Sequence, residues 1–223
     1  MVSLDPENGH EIVMNYFYTL FDFTDSEPEV DTSDFLSVLS RIMPRILTRE
    51  QAESVPEDMI TTIPWVNDCV ISLVIDFPQC TMSIRRDMME DWGIEDPEEL
   101  YSFALQNLWD VTKGMTYDLV GLKDDDGEMT AKACIFNTKD GYDSSRILLP
   151  QMYRNLSAEL GNEYYVAIPS RDMFLAISTE HRPTIERVVN RMQEDDEALP
   201  HPLSKELFLC VKDGVAAGRL DPL

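Results

Sequence analysis

The stretch MTYDLVGL (Met115 to Leu122), DDDG (Asp124 to Gly127) and MTAKACIFN (Met129 to Asn137) decides the fold class. Two runs rich in apolar and β-branched residues flank a turn that ends in Asp-Gly, a strong hairpin signal. A helix is expected next, from about Ser144 to Leu160, with Gly161 and Asn162 as its stop. The same order, two strands and then a helix, recurs on both sides. Upstream, strands over Cys69 to Ile75 and Cys80 to Ile84 enclose the turn Phe77 to Gln79, and a helix spans Pro97 to about Val111. Asp96 caps its free N–H groups, Pro97 suits the first helical position, and Glu98 and Glu99 complement the positive end of its dipole. Downstream, Tyr164 to Ile168 and Met173 to Ile177 enclose Pro169 to Asp172, and a helix runs from about Pro183 to Met192. A last hairpin, Leu207 to Lys212 and Val215 to Leu220, turns around Asp213 and Gly214. The units share no identity that would mark a true repeat.

Before these units, residues 5–22 read as a helix carrying Ile12, Val13, Tyr16, Phe17, Leu20 and Phe21 at helical spacing. The acidic, proline-containing Thr24 to Asp31 is the best linker. A second helix is expected after Thr32 and Ser33, carrying Phe35, Leu36, Leu39, Ile42 and Met43 until Pro44 kinks or ends it. The expectation is an α+β fold: a largely antiparallel sheet built from β-hairpins, each followed by a helix packed on the sheet, with an N-terminal helical segment. Residues 1–33 form the helix and linker, and 34–223 the α+β domain, whose division into 34–113 and 114–223 stays open.

Composition narrows the function. With 223 residues and 43% hydrophobic content the chain can build a real core. No apolar run approaches the roughly 20 residues of a membrane helix, and the opening residues lack an export signal, so a cytoplasmic, membrane-free location is expected. Lys plus Arg is 18 and Asp plus Glu is 42, a formal charge of −24. That field repels nucleic-acid phosphate and makes direct nucleic-acid binding an unexpected role. A basic protein partner suits it better, although solubility alone also accounts for it. The cysteines (Cys69, Cys80, Cys134, Cys210) and histidines (His10, His181, His201) are too scattered for zinc, so the thiols read as small buried hydrophobes and neither metal nor cofactor is expected.

Two polar clusters carry the candidate site. Asp140, Gly141, Tyr142, Asp143, Ser144 and Arg146 join a strand to a helix, whose N-terminus offers unpaired N–H donors to an anion. Gly141 permits close approach and Arg146 adds a guanidinium; Asp143, as a helix cap, is the structural alternative. Ser170, Arg171 and Asp172 form the second cluster, in a tight turn. Arg85, Arg86 and Asp87 read as a balanced solvated group, and Asp124 to Gly127 as a hairpin turn rather than a calcium loop. Ser144 and Ser145 form no nucleophile elbow.

VISLVID (70–76), DWGI (91–94), EEL (98–100), ALQNL (104–108), DGYDSSRILLP (140–150), AIPSRD (167–172) and PLS (202–204) resemble the YtpQ-like family, bacterial proteins grouped by a domain of unknown function. The 140–150 run is the most specific, and Ser144 departs from a pattern that often has Ala there. The resemblance covers the chain from about residue 60 onward. It implies a cytoplasmic α+β protein and no particular substrate. The expectation is therefore a non-enzymatic binding or protein-interaction module with an acidic surface. The alternative is an enzyme acting on a small anionic metabolite, with Arg146 and Arg171 holding charge and Asp140 or Asp143 as base.

Overall fold

The computed structural model describes residues 30–124, 126–194 and 199–219. The helix expected over 5–22 and nearly all of the linker lie outside them. Asp34 caps a single turn, α1 (Phe35–Val38), by accepting the Leu36 N–H at 3.2 Å. A 3-10 turn, Leu39–Arg41, follows, and the chain then extends as β1 (Ile42–Thr48). This corrects the helix expected through Met43. Pro44 sits inside the strand because, among the described residues, β1 is an edge of its sheet, where an imino nitrogen facing outward removes no ladder bond. Thr48 and Gln51 form a capping box at α2 (Arg49–Glu53).

β2 (Thr62–Pro64) and β3 (Cys69–Asp76) come next, then β4 (Thr81–Ser83). β3 is the centre of this four-stranded sheet. It pairs antiparallel with β1 from Ile42 opposite Ile75 to Thr48 opposite Cys69, while β2 and β4 share its other edge. After α3 (Arg86–Asp91) comes α4 (Pro97–Thr112), where Asp96 accepts the Glu98 N–H at 2.9 Å as the sequence predicts. Leu100 and Ala104 of α4 pack with Ile42, Leu73 and Ile75 in one buried cluster. Each such fully buried Leu or Ile side chain contributes roughly 1.5–3 kcal/mol.

β5 (Asp118–Lys123) and β6 (Met129–Phe136) form the expected hairpin, with Gly127 at φ +83° in its turn. The helix expected from Ser144 to Leu160 is two pieces: a 3-10 segment, Ser144–Leu148, and α5 (Pro150–Leu160). Pro150 explains the break, because a residue before proline avoids helical geometry, and Leu149 stands at φ −85°, ψ 117°. β7 (Tyr164–Ala167), β8 (Phe174–Ser178), α6 (Arg182–Glu194), β9 (Leu207–Val211) and β10 (Gly214–Gly218) complete the chain. The second sheet has the order β10-β9-β7-β8-β6-β5, every pair antiparallel.

Alternation along these strands divides the two faces. Cys134, Phe136, Tyr164, Val166, Phe174, Ala176, Phe208 and Cys210 join α5 and residues of β1 and β3 in one shared cluster. Ala131, Ala133, Ala167, Ile177 and Leu207 face the other way, with Ile185 of α6. Among the described residues no helix is long and apolar enough to cross a membrane.

Candidate functional site

The chain leaves β6 through Asn137 to Asp143, with Lys139 at φ +57° and Gly141 at φ +85°. Asp143 closes this loop from behind. Its carboxylate accepts from Thr138 Oγ1 and, at 2.9 Å, from the Lys139 N–H. It makes no capping bond to the N–H groups that follow it, so neither the helix cap nor an open α-helical N-terminus expected at Ser144 is present.

Arg146, fully buried, locks the loop. Its Nη1 donates to Asp143 Oδ1 at 2.7 Å and to Asp140 Oδ1 at 3.1 Å, and its Nη2 donates to Asp140 Oδ2 and to Met115 Sδ. Asp140 also accepts the Tyr142 N–H at 2.9 Å. Burial pushes the Asp140 carboxyl up, but the hydrogen bonds and charge of Arg146, aided by Tyr142 and Thr138, hold it below its ordinary range. One guanidinium thus holds two carboxylates, and the hydroxyls of Ser144 and Ser145 are buried without partners among the described residues.

The two polar clusters meet. Gly141 N–H donates to Asp172 Oδ1 at 2.9 Å, and Ser144 N–H to the Arg171 carbonyl at 3.0 Å. On the far side Arg171 N–H donates to the His201 carbonyl at 3.0 Å, and buried Ser170 bridges to Pro202. All nine residues singled out in the sequence therefore belong to one neighbourhood. They do not act as one set, because Arg146 faces inward to Asp140 and Asp143 while Arg171 lies over Gly141.

The sequence reading missed the partner of Arg171. Arg45, on β1, lies opposite Ser72 with Met43 opposite Val74, and this face of the strand looks toward Tyr142. Its Cζ is 5.4 Å from the Tyr142 ring centroid and its Nη1 donates to Thr81 Oγ1 at 2.7 Å. A Cβ built on Gly141 would stand 3.5 Å from Arg45 Nη2 and 3.8 Å from Arg171 Nε. Two guanidiniums thus come together over one glycine. Arg171 has Asp172 beside it at 3.4 Å; Arg45 forms no ion pair among the described residues. The Nε atoms of both are buried and without hydrogen-bond partners among those residues. Tyr142 donates its hydroxyl to Asp76 Oδ1 at 2.8 Å, and burial, then Asp76, raise its pKa.

Other candidates resolve simply. Arg85 pairs with Asp87 at 2.9 Å on the surface, and Asp124 Oδ1 closes its hairpin by accepting from the Asp126 and Glu128 N–H groups. Among the described residues no group of His, Cys, Asp and Glu has metal-holding geometry. Cys69, Cys134 and Cys210 are buried and Cys80 is exposed. Burial pushes the Cys69 and Cys134 thiols up to about 11 each and Cys210 to about 12, so they stay protonated at neutral pH. Two grooves, of about 560 and 450 Å³, open elsewhere, and none of the nine residues lines either.

The fold and site together define an α+β protein with a buried arginine held between two carboxylates, beside a half-buried pair of arginines. No family model, curated protein or solved structure matches the chain.

Proposed function

We propose that this protein is a non-enzymatic binding module and that it takes a small anionic group at the Arg45–Arg171 pair above Gly141. The observation that carries the reading is the approach of both guanidiniums to one point, with Arg45 lacking a carboxylate partner among the described residues. Adjacent guanidiniums repel, and an anion shared between them relieves that repulsion through charge-assisted hydrogen bonds. The segment 140–150 that builds this turn is also the one that most resembles the YtpQ-like family, and a relationship to it is part of the proposal.

No observation favours the enzymatic alternative. Its candidate bases, Asp140 and Asp143, are both engaged by Arg146, and Asp140, whose carboxyl is held low, is a poor base at neutral pH.

The test is an NMR titration with phosphate and with acetate at constant ionic strength. Gly141 and Tyr142 amide signals should shift saturably, and Arg45→Met or Arg171→Met should weaken binding by about tenfold or more. A titration that leaves those signals unmoved defeats the proposal. The formal charge of −24 favours a second reading, a basic protein partner. A pull-down that returned no specific partner at moderate salt would count against it.

A further inference from the structure

Among the described residues the six-stranded sheet ends in two edges, β5 and β10, and they are built differently. β5 carries Asp118 and Lys123 at its ends and a register shift at Leu122/Lys123, and its Lys123 carbonyl accepts from Arg187 Nη2 at 3.1 Å. Charges, a bulge and an occupied carbonyl are the features that keep an edge from pairing. β10 carries neither a charge nor a register shift within the strand. It reads Gly-Val-Ala-Ala-Gly over Gly214–Gly218, with Ala216 and Ala217 exposed.

The orientation of its backbone follows from its hairpin. Val211 pairs with Gly214, so the loop is Lys212 and Asp213. In a two-residue hairpin the closing pair is hydrogen-bonded; Gly214, Ala216 and Gly218 therefore turn their N–H and C=O groups toward β9, and Val215 and Ala217 turn theirs outward. The Arg219 N–H leans back on the Ala217 carbonyl at 3.2 Å, which leaves that oxygen a second lone pair.

We propose that β10 is a self-association edge: a second copy of this chain adds its own β10 antiparallel, about a two-fold axis at Ala216. In that register Val215 and Ala217 exchange hydrogen bonds with Ala217 and Val215 of the second copy, which uses the outward groups of both strands. The sequence DGVAAGR (213–219) places opposite charges symmetrically about Ala216. The register brings Asp213, in the hairpin loop before β10, to the end of the pairing where Arg219 of the second copy lies just past its own strand, and the symmetry repeats the approach. This charge complementarity selects a second copy over an unrelated strand, and the small residues between let the backbones approach. Strand pairing alone buries less than the roughly 1,200 Å² of a stable interface. Two chains of charge −24 also repel each other, so the association is weak and strengthens as salt screens that repulsion.

Sedimentation velocity of the full chain, from about 10 µM to about 1 mM and at about 0.15 and 0.5 M NaCl, tests the proposal. A concentration-dependent dimer is expected. Asp213→Arg or Arg219→Asp should each raise its dissociation constant by about tenfold, and the double variant should return it to within about threefold of the parent value. Ala217→Pro, which removes an outward N–H and leaves the β9 ladder its bonds, should abolish the dimer without loss of the far-UV circular dichroism. A chain that stays monomeric throughout overturns the proposal. So does a dimer that Ala217→Pro leaves intact, or charge reversals that the double variant does not rescue.

Discussion

Replacing Arg146 by Met would strand the Asp143 carboxylate in the interior and leave Asp140 without its guanidinium. Removing one partner of a buried pair costs about 3–5 kcal/mol, and urea denaturation of Arg146→Met should show a loss of that size. Arg146→Lys keeps the charge but not the two-pronged contact to Asp140, and should fall between. The same pair predicts an acid dependence. Because Arg146 holds Asp140 below its ordinary 3.8, its contribution is fully present above that value and is lost as pH falls through the depressed folded value. Denaturation midpoints between about pH 5 and about pH 2 should therefore fall more steeply for the parent than for Arg146→Met. The thiols run in the opposite sense. Folded values of about 11 to 12, raised by burial from 9.0, mean that their stabilising effect is complete below 9.0 and is lost as pH rises through the folded values. At mildly alkaline pH a disulfide reagent should modify Cys80 alone in the folded protein, and all four cysteines after denaturation.

At the scale of elements, Asp96→Ala should destabilise the protein by about 1 kcal/mol in a thermal melt, since its carboxylate caps α4. That cap, the Asp-Gly turn of the β5–β6 hairpin and the Gly161 stop of α5 were legible because each depends on neighbours in sequence. The failures came at prolines. In the sequence Pro44 marks the kink or end of a helix, although Ile42, Ile46 and Thr48 are β-branched and suit a strand; only the position of β1 at a sheet edge among the described residues, a tertiary fact, decides for the strand. The helix expected from Ser144 to Leu160 runs across Pro150, although the effect of that proline on Leu149 is local and legible in the sequence.

On the scale of the molecule, the candidate site was half legible. Asp140 to Arg146 and Ser170 to Asp172 stood out as polar clusters between apolar runs, but their meeting depends on sheet order, and Arg45 enters from a different sheet altogether. The excess of negative charge also acts on the whole fold. Raising NaCl from about 20 mM to about 0.5 M should raise the melting temperature, because screening relieves repulsion among carboxylates more than it weakens the few surface ion pairs. β3 has strands on both edges, and its Cys69 to Ile75 stretch is buried throughout. Its amides can trade protons for deuterons only when the first sheet comes apart. Mass spectrometry of a heavy-water time course should accordingly find the peptide covering Ile71 to Val74 among the last to gain mass, long after the peptide covering β10.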